Sequence, residues 1–446
     1  MLQRLVIIIF GLSVSVMSGY SHAEYGLSGQ ILHDSRMLIG KGIYEDNSKG
    51  EFTKSISRME LKIKRTDESD FSLYGEIWAT YDHLDSNLDQ FDGSADDAET
   101  DLKRRDYDEF YIREAYASAS LGLMKFRIGK MFLNWGRADE INPIDIVTPE
   151  DFSEFYTIDR DERKIPVLLF DGLLYMGNFI LEAVWIPFFE PARVPTKGPW
   201  AQRTFLQLRK LLGEEQFALL DFSAKEKEGK HDIENSETAI RFSGLLGSLD
   251  FGLVFFYGFN DLPGLKIEVN DLGQPALTIT YHRFHGYGFD FAYSLAGYGF
   301  RGEMLYRDEV LYPLPVSIAG FTNHTSSDIQ SIFGIDKTFG DNFYINVQLI
   351  YNRILDYRED VIADQDTFIG MGTVEDKFFH DDLKLAIDFF YGFNKGDWMI
   401  SPYVEYSLTD KLKAKAGVYL IGGPDDSDIG QFDENDMVYL RMSYAF

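Results

Sequence analysis

The chain ends in DMVYLRMSYAF, where Val438, Leu440, Met442, Tyr444 and Phe446 share one parity and Tyr439, Arg441, Ser443 and Ala445 the other. Side chains along a strand alternate between two faces, so this segment has one apolar face and one polar or small face. The stretch before it, KLKAKAGVYL, sets Leu412, Ala414, Ala416, Val418 and Leu420 against Lys411, Lys413, Lys415 and Gly417. SRMELKIK opposes Met59, Leu61 and Ile63 to Arg58, Glu60, Lys62 and Lys64, and GLMKFRIGK opposes Met124, Phe126 and Ile128 to Lys125 and Arg127. Comparable segments recur around 70–81, 109–119, 167–186, 203–223, 237–259, 276–308, 328–352 and 382–408. Each demands an apolar medium on one side and water on the other.

Aromatic residues make up 15% of the sequence, yet charged residues hold at 26%, so the two classes are interleaved rather than segregated. The longest apolar region, Val167–Phe189, is broken by Asp171, Asn178 and Glu182. Beyond the N-terminus no apolar run is long enough for a membrane-spanning helix. A lipid-exposed sheet with a wet inner face fits the interleaving, and closing it leaves no unpaired backbone group toward lipid. The expected fold is all-β, a closed antiparallel transmembrane β-barrel of about eighteen strands, within roughly sixteen to twenty. The parity is ambiguous near 260–300 and 353–380. Tight turns are expected at 175–178, 247–250, 339–342 and 409–410. Long, often acidic loops are expected at 34–54, 82–108, 132–165, 187–202, 353–380 and 421–436.

At the N-terminus, Arg4, an apolar run and Ser21-His22-Ala23 read as a signal peptide over 1–23, leaving 24–446 as a single barrel domain. There is no Cys, hence no lipidated N-terminus, disulfide or thiolate site. The aromatic or apolar residue at every second position up to Phe446 resembles the C-terminal signature of bacterial outer-membrane barrels. That resemblance implies that Tyr444 and Phe446 are read by the barrel-assembly machinery, that the short turns are periplasmic, and that the long loops face outward. A formal net charge of -29 argues against nucleic acid as a partner. The acid concentrates in 82–101, 356–366 and 424–436, which suit an outer surface bridged by divalent cations to lipopolysaccharide above the lipid bilayer. None has the spacing of an EF-hand, and no metal or other cofactor is expected.

Catalytic motifs are missing: no H-E-x-x-H, no G-x-S-x-G and no Walker loop. The candidate bases are His83, His231, His282, His285, His324 and His380. His282 and His285, three apart on a strand, point to opposite faces. No enzyme is expected. A phospholipase or omptin-like hydrolase stands as one alternative, and a structural or adhesive barrel as another.

The stretch GKMFLNWGRADEINPIDIVTPEDF concentrates polar residues just after a strand. With the residues before it, it resembles a segment R-x-G-[KR]-x-x-x-x-W-G followed by N-P-x-D in porin-like outer-membrane channels of proteobacteria. These long-loop barrels are similar in style to alginate-export-type and OprD-like porins. Arg127, Gly129, Lys130, Asn134, Trp135, Gly136, Asn142, Pro143 and Asp145 carry the match, which extends over roughly 109–193. The resemblance implies an outer-membrane channel for small or hydrophobic solutes and names no substrate. From the residues themselves, Gly136 lets the chain leave strand geometry and Pro143 and Pro149 resist a return to it. Thr148-Pro149-Glu150-Asp151 predicts a short helix over 149–156 capped by Thr148. The segment 132–165 is expected to fold inward as a constriction. It would present Trp135, Arg137, Asp139, Glu140, Asp145, Asp159, Arg160, Asp161, Arg163 and Lys164 to the lumen. Opposite it, Arg58, Lys62, Lys64, Lys125, Arg127, Lys411, Lys413, Lys415 and Arg441 form a candidate basic ladder favouring anions.

Overall fold

The computed structural model describes residues 23–41, 49–67, 70–84, 110–195, 199–200, 233–269, 275–314 and 323–446. Its strands are β1 (Ala23–Leu38), β2 (Phe52–Asp67), β3 (Phe71–Asp82), β4 (Phe110–Leu121), β5 (Met124–Met131), β6 (Val167–Met176) and β7 (Phe179–Ile186). Then come β8 (Glu237–Leu246), β9 (Leu249–Phe259), β10 (Gly264–Val269), β11 (Pro275–Thr280), β12 (Arg283–Leu295), β13 (Tyr298–Pro313) and β14 (Asn323–Phe339). The last are β15 (Phe343–Ile354), β16 (Asp366–Phe378), β17 (Leu383–Gly392), β18 (Trp398–Ser407), β19 (Leu412–Gly422) and β20 (Met437–Ala445).

All except β10 and β11 join one 18-stranded antiparallel sheet. It closes because β1 pairs with β2 on one side and with β20 on the other, His33 standing opposite both Ser57 and Met442. Closure removes both edges, the condition for a sheet to stand in lipid. The start of β1, the end of β20 and the tight turns at Gly122, Gly177, Gly247, Gly297 and Gly340 lie at one end of the barrel. The alternation read from the sequence sets the faces. Phe126, Leu440, Met442, Tyr444 and Phe446 are exposed on the outside, while Tyr439, Leu169 and Leu305 are buried within.

Two expectations are corrected and one ambiguity is resolved. The region 353–380 is not one loop: β16 occupies Asp366–Phe378. Its lipid face carries Gly370 and Gly372, covered by the rings of Phe393 and Phe389, so the apolar alternation is hidden in neighbouring strands. The region 34–54 is shorter as a loop, since β1 runs to Leu38 and β2 starts at Phe52. Asp34, Arg36 and Lys54 are inward charges paired with one another and with Glu154. Near 260–300 the ambiguous parity resolves into a separate hairpin, β10–β11, with β12 pairing directly to β9. The expected strand at 203–223 and most of the loop at 82–108 lie outside the described residues.

Candidate constriction site

The chain leaves the wall at Met131, the end of β5, and rejoins it at Val167, the start of β6. The turn away is made at Gly136, whose φ is +89°. A Cβ there would stand 2.6 Å from Glu303 Oε1 and 2.6 Å from the Asn142 amide nitrogen. Asn142 bridges the turn: its Nδ2 donates to the Trp135 carbonyl at 2.8 Å and its Oδ1 accepts the Ile144 N–H at 3.1 Å. Asp145 accepts the Trp135 N–H at 3.1 Å and pairs with Lys164 at 2.9 Å. The W-G…N-P-x-D stretch is thus a fold-back lock. Trp135 is only 2% exposed, packed among Leu133, Ile144, Val147 and Leu169 rather than lining open space.

Two buried cations hold the rest of the segment. Lys164 reaches Asp145, Glu150 at 3.2 Å and the Asp145 and Thr148 carbonyls. Arg163 reaches Glu140 at 2.9 Å, Glu150 at 3.4 Å and the Ile158 and Glu140 carbonyls, with its guanidinium over the Tyr156 ring. Burial opposes ionisation of Glu150, yet Lys164 and Arg163 hold it below the usual carboxylate range. At Asp145 burial wins and pushes the carboxyl up against the pull of Lys164 and Arg160.

The predicted helix over 149–156 is not formed. Glu150 and Asp151 make isolated bridges to Lys164 and Arg193, and the Thr148 hydroxyl donates to the Leu133 carbonyl instead of capping. These long-range pairings take up the backbone that a helix would have used. The one helical turn of the segment, α1, spans Arg160–Arg163. Phe155 stacks on Trp200 and meets Phe432, while Tyr156 packs on Phe390.

Inward side chains hold the segment from around the circumference. On one wall Arg137 pairs with Asp250 of β9 at 2.6 Å and Asp290 of β12 at 3.0 Å. Glu303 of β13 accepts the backbone N–H groups of Arg137, Ala138 and Ile144. Asp139 meets Arg301 of β13 at 2.9 Å and the amides of Asn346 and Gln348 on β15. On the other wall Arg36 of β1 binds Glu154 at 2.9 Å, and Tyr419 of β19 donates to the Thr157 carbonyl at 2.8 Å. Glu162 bridges Arg58 of β2, at 2.8 Å, to Arg441 of β20. Despite its burial, these two arginines draw the Glu162 carboxyl down to about 2. Residues from opposite walls reach the segment.

A cavity of about 580 Å³ remains between the segment and the wall from β15 to β20. Lys384, Lys413, Lys415 and Arg441 stand on its wall, and Asp139, Glu140 and Asp159 line it from the segment. Lys384 lies opposite Glu405, Glu405 opposite Lys415, and Lys415 opposite Arg441, a row across four strands. A second cavity of about 180 Å³ lies on the other side of Glu140 and Tyr156, which line both.

The ladder residues are brought together only in part. Lys413, Lys415 and Arg441 face the larger cavity, and Lys413 also meets Glu405 at 3.7 Å. Arg58 is bound to Glu60 and Glu162, Lys62 meets Glu76 at 3.7 Å, and Arg127 meets Asp171 at 2.5 Å. Lys125 and Arg127 lie on β5, away from the cavity. Of the segment's residues, Asp161 accepts the Asn134 amide at 2.8 Å, and Arg160 binds the Ala138 and Asp139 carbonyls. Glu303, Asp290, Arg301, Arg36 and Tyr419 were not singled out from the sequence. Parity marks them as inward, but nothing local tells an inward anchor from an inward solvated group.

Residues 46–446 match the family DUF1302, described as a protein of unknown function. No curated protein matches the sequence. Among solved structures, OccAB3 of Acinetobacter baumannii is 10% identical, with 95% of this chain and 99% of that one covered and a TM-score of 0.52. OccK1 (OpdK) of Pseudomonas aeruginosa is 11% identical, with 96% and 99% covered and a TM-score of 0.51. OpdK with vanillate gives the same identity, coverage and TM-score. At such identity the likeness concerns the fold alone, a closed antiparallel barrel. The chain belongs to the DUF1302 family.

Proposed function

We propose that this barrel is a porin-like channel for small solutes, narrowed by residues 132–165. One observation carries this: the segment is tied to both walls and leaves a chamber of about 580 Å³ beside it. Lys384, Lys413, Lys415 and Arg441, with Glu375, Asp388 and Glu405 set among them, face Asp139, Glu140 and Asp159 across that chamber, an arrangement that supports a transverse field. Lys384, Lys413 and Arg441 are paired with Glu375, Glu405 and Glu162 much as Arg58, Lys62 and Arg127 are paired with acids, so it is their place on the chamber that marks them as the part of the ladder that handles anionic groups. Residues 1–23 act as the export signal, and Tyr444 and Phe446 as the mark read by the barrel-assembly machinery.

Single-channel recording in planar bilayers tests the constriction. Removing 139–160 should raise conductance while the barrel stays folded. Unchanged conductance with an intact barrel would refute it.

A further inference from the structure

Five polar side chains interrupt the lipid-facing surface where β1, β2 and β3 meet. His33 and Ser35 share a face with Ile31, which is 49% exposed, and their partners on β20, Met442 and Leu440, are exposed apolar residues. Ser55, Ser57 and His83 complete the group. It lies toward the loop end, beside the exposed rings of Phe52 and Tyr81 and next to a bulge at which β2 carries Thr53 as an extra residue. Polar groups facing lipid are unfavourable unless they satisfy one another, and these do.

The hydrogen bonds run in series. Ser35 Oγ is 2.8 Å from His33 Nε2, and His33 Nδ1 is 3.1 Å from Ser57 Oγ. Ser57 Oγ is in turn 2.8 Å from His83 Nε2, and the two imidazoles meet edge to face at 5.4 Å. One assignment satisfies the whole series: Ser35 O–H donates to His33, His33 Nδ1–H to Ser57, and Ser57 O–H to His83. A hydroxyl donating to an imidazole whose other nitrogen is fixed by a third group is the geometry of an activated nucleophile. Ser55 Oγ, 3.3 Å from Ser35 Oγ, sets a second hydroxyl beside it, able to donate to a developing oxyanion.

We propose that Ser35 and His33 form an acyl-ester hydrolase site on the outer wall of the barrel, acting on fatty-acyl esters of membrane lipids. Their place fits that substrate, because lipid esters lie at the boundary between acyl chains and headgroups. Ser35 Oγ attacks the ester carbonyl carbon as its proton passes to His33 Nε2. The carbon–oxygen bond to the lipid alcohol breaks, and His33 returns the proton to the departing oxygen. Water then adds to the acyl-Ser35 carbonyl, giving its proton to His33, and the free fatty acid leaves as Ser35 recovers its own. Ser57 is a positioning residue that keeps the imidazole turned toward Ser35. This site is separate from the lumen and does not depend on the channel reading.

The test uses the full-length mature barrel in phosphatidylethanolamine vesicles bearing a fluorescent acyl chain, together with a fluorophosphonate probe read by mass spectrometry. The expected result is probe on Ser35 and release of the labelled fatty acid, both reduced about 100-fold or more in Ser35→Ala and His33→Ala. Ser57→Ala should slow release and shift its pH profile. Heat-modifiable migration and conductance should match the unmodified protein in every variant, which separates loss of chemistry from loss of fold. No adduct at Ser35, release no faster than from protein-free vesicles, or release that persists in Ser35→Ala would overturn the proposal.

Discussion

The carboxylate of Glu303, on the barrel wall, accepts the backbone N–H of Ala138 at 2.6 Å. The same group takes the amides of Arg137 and Ile144, so a single side chain fixes both limbs of the turn around Gly136. Glu303→Gln keeps the size but replaces one accepting oxygen by a donor that faces an N–H. Losing these charge-assisted bonds should cost roughly 1–3 kcal/mol of local stability. Conductance should become noisier and larger on average, with the barrel's melting temperature little changed. Quiet currents of unmodified size in this variant would show that the segment is held by its other contacts alone.

Gly136→Ala asks more of the same turn. Its positive φ disfavours a side chain, and the added methyl would strike both Asn142 and Glu303. Because the barrel is held by its sheet, the variant should insert normally but expose the segment to limited proteolysis. Resistance equal to the unmodified protein would contradict this.

Acid should loosen the segment through Glu162. Its carboxyl is depressed from an ordinary 4.5 to about 2 by Arg58 and Arg441. A group held down in the folded state contributes stability above its unfolded value and loses it as the pH falls through the folded one. The contribution is therefore whole above about 4.5, fades toward pH 2, and amounts to at most about 3 kcal/mol. Conductance recorded across that window should rise in the unmodified chain, whereas Glu162→Gln should start high and change little.

Charge selectivity should respond to the chamber cations and not to the ladder residues that lie away from the chamber. Lys413→Glu with Lys415→Glu is expected to move the reversal potential in a salt gradient toward cation selectivity. Lys125→Glu, away from the chamber, should move it much less. Equal shifts from both would mean that the field is spread along the whole lumen.

The barrel was legible because a period of two needs only a few residues to declare itself. The alternation about Leu440, Met442 and Tyr444 gives both fold and facing. Where glycine replaced the lipid-facing residue, as at Gly370 and Gly372, the signal faded and a strand looked like a loop. The segment 132–165 showed as an unusual concentration of polar residues, but its internal structure did not. Thr148 and Pro149 have the chemistry of a helix start, and long-range bridges from Lys164 and Arg193 overrule it. Trp135 looked like a lining residue because sequence cannot say which way a loop side chain turns. The anchors on the wall were hidden for a related reason. Glu303 and Ala138 are 165 positions apart, and only closure of the sheet makes them neighbours.

The Glu162 bridge has a consequence for the order in which the molecule can be made. It joins Arg58, near the beginning of the sheet, to Arg441, near its end, with β1 lying between their strands. Contacts separated so far along the chain bring no gain until the ring is shut, so this clasp on the segment forms after closure. On the channel reading proposed above, a barrel just closed would stay wide until that clasp forms. The carboxylate that clasps the seam would then report the moment at which the molecule stops being a hole and becomes a filter.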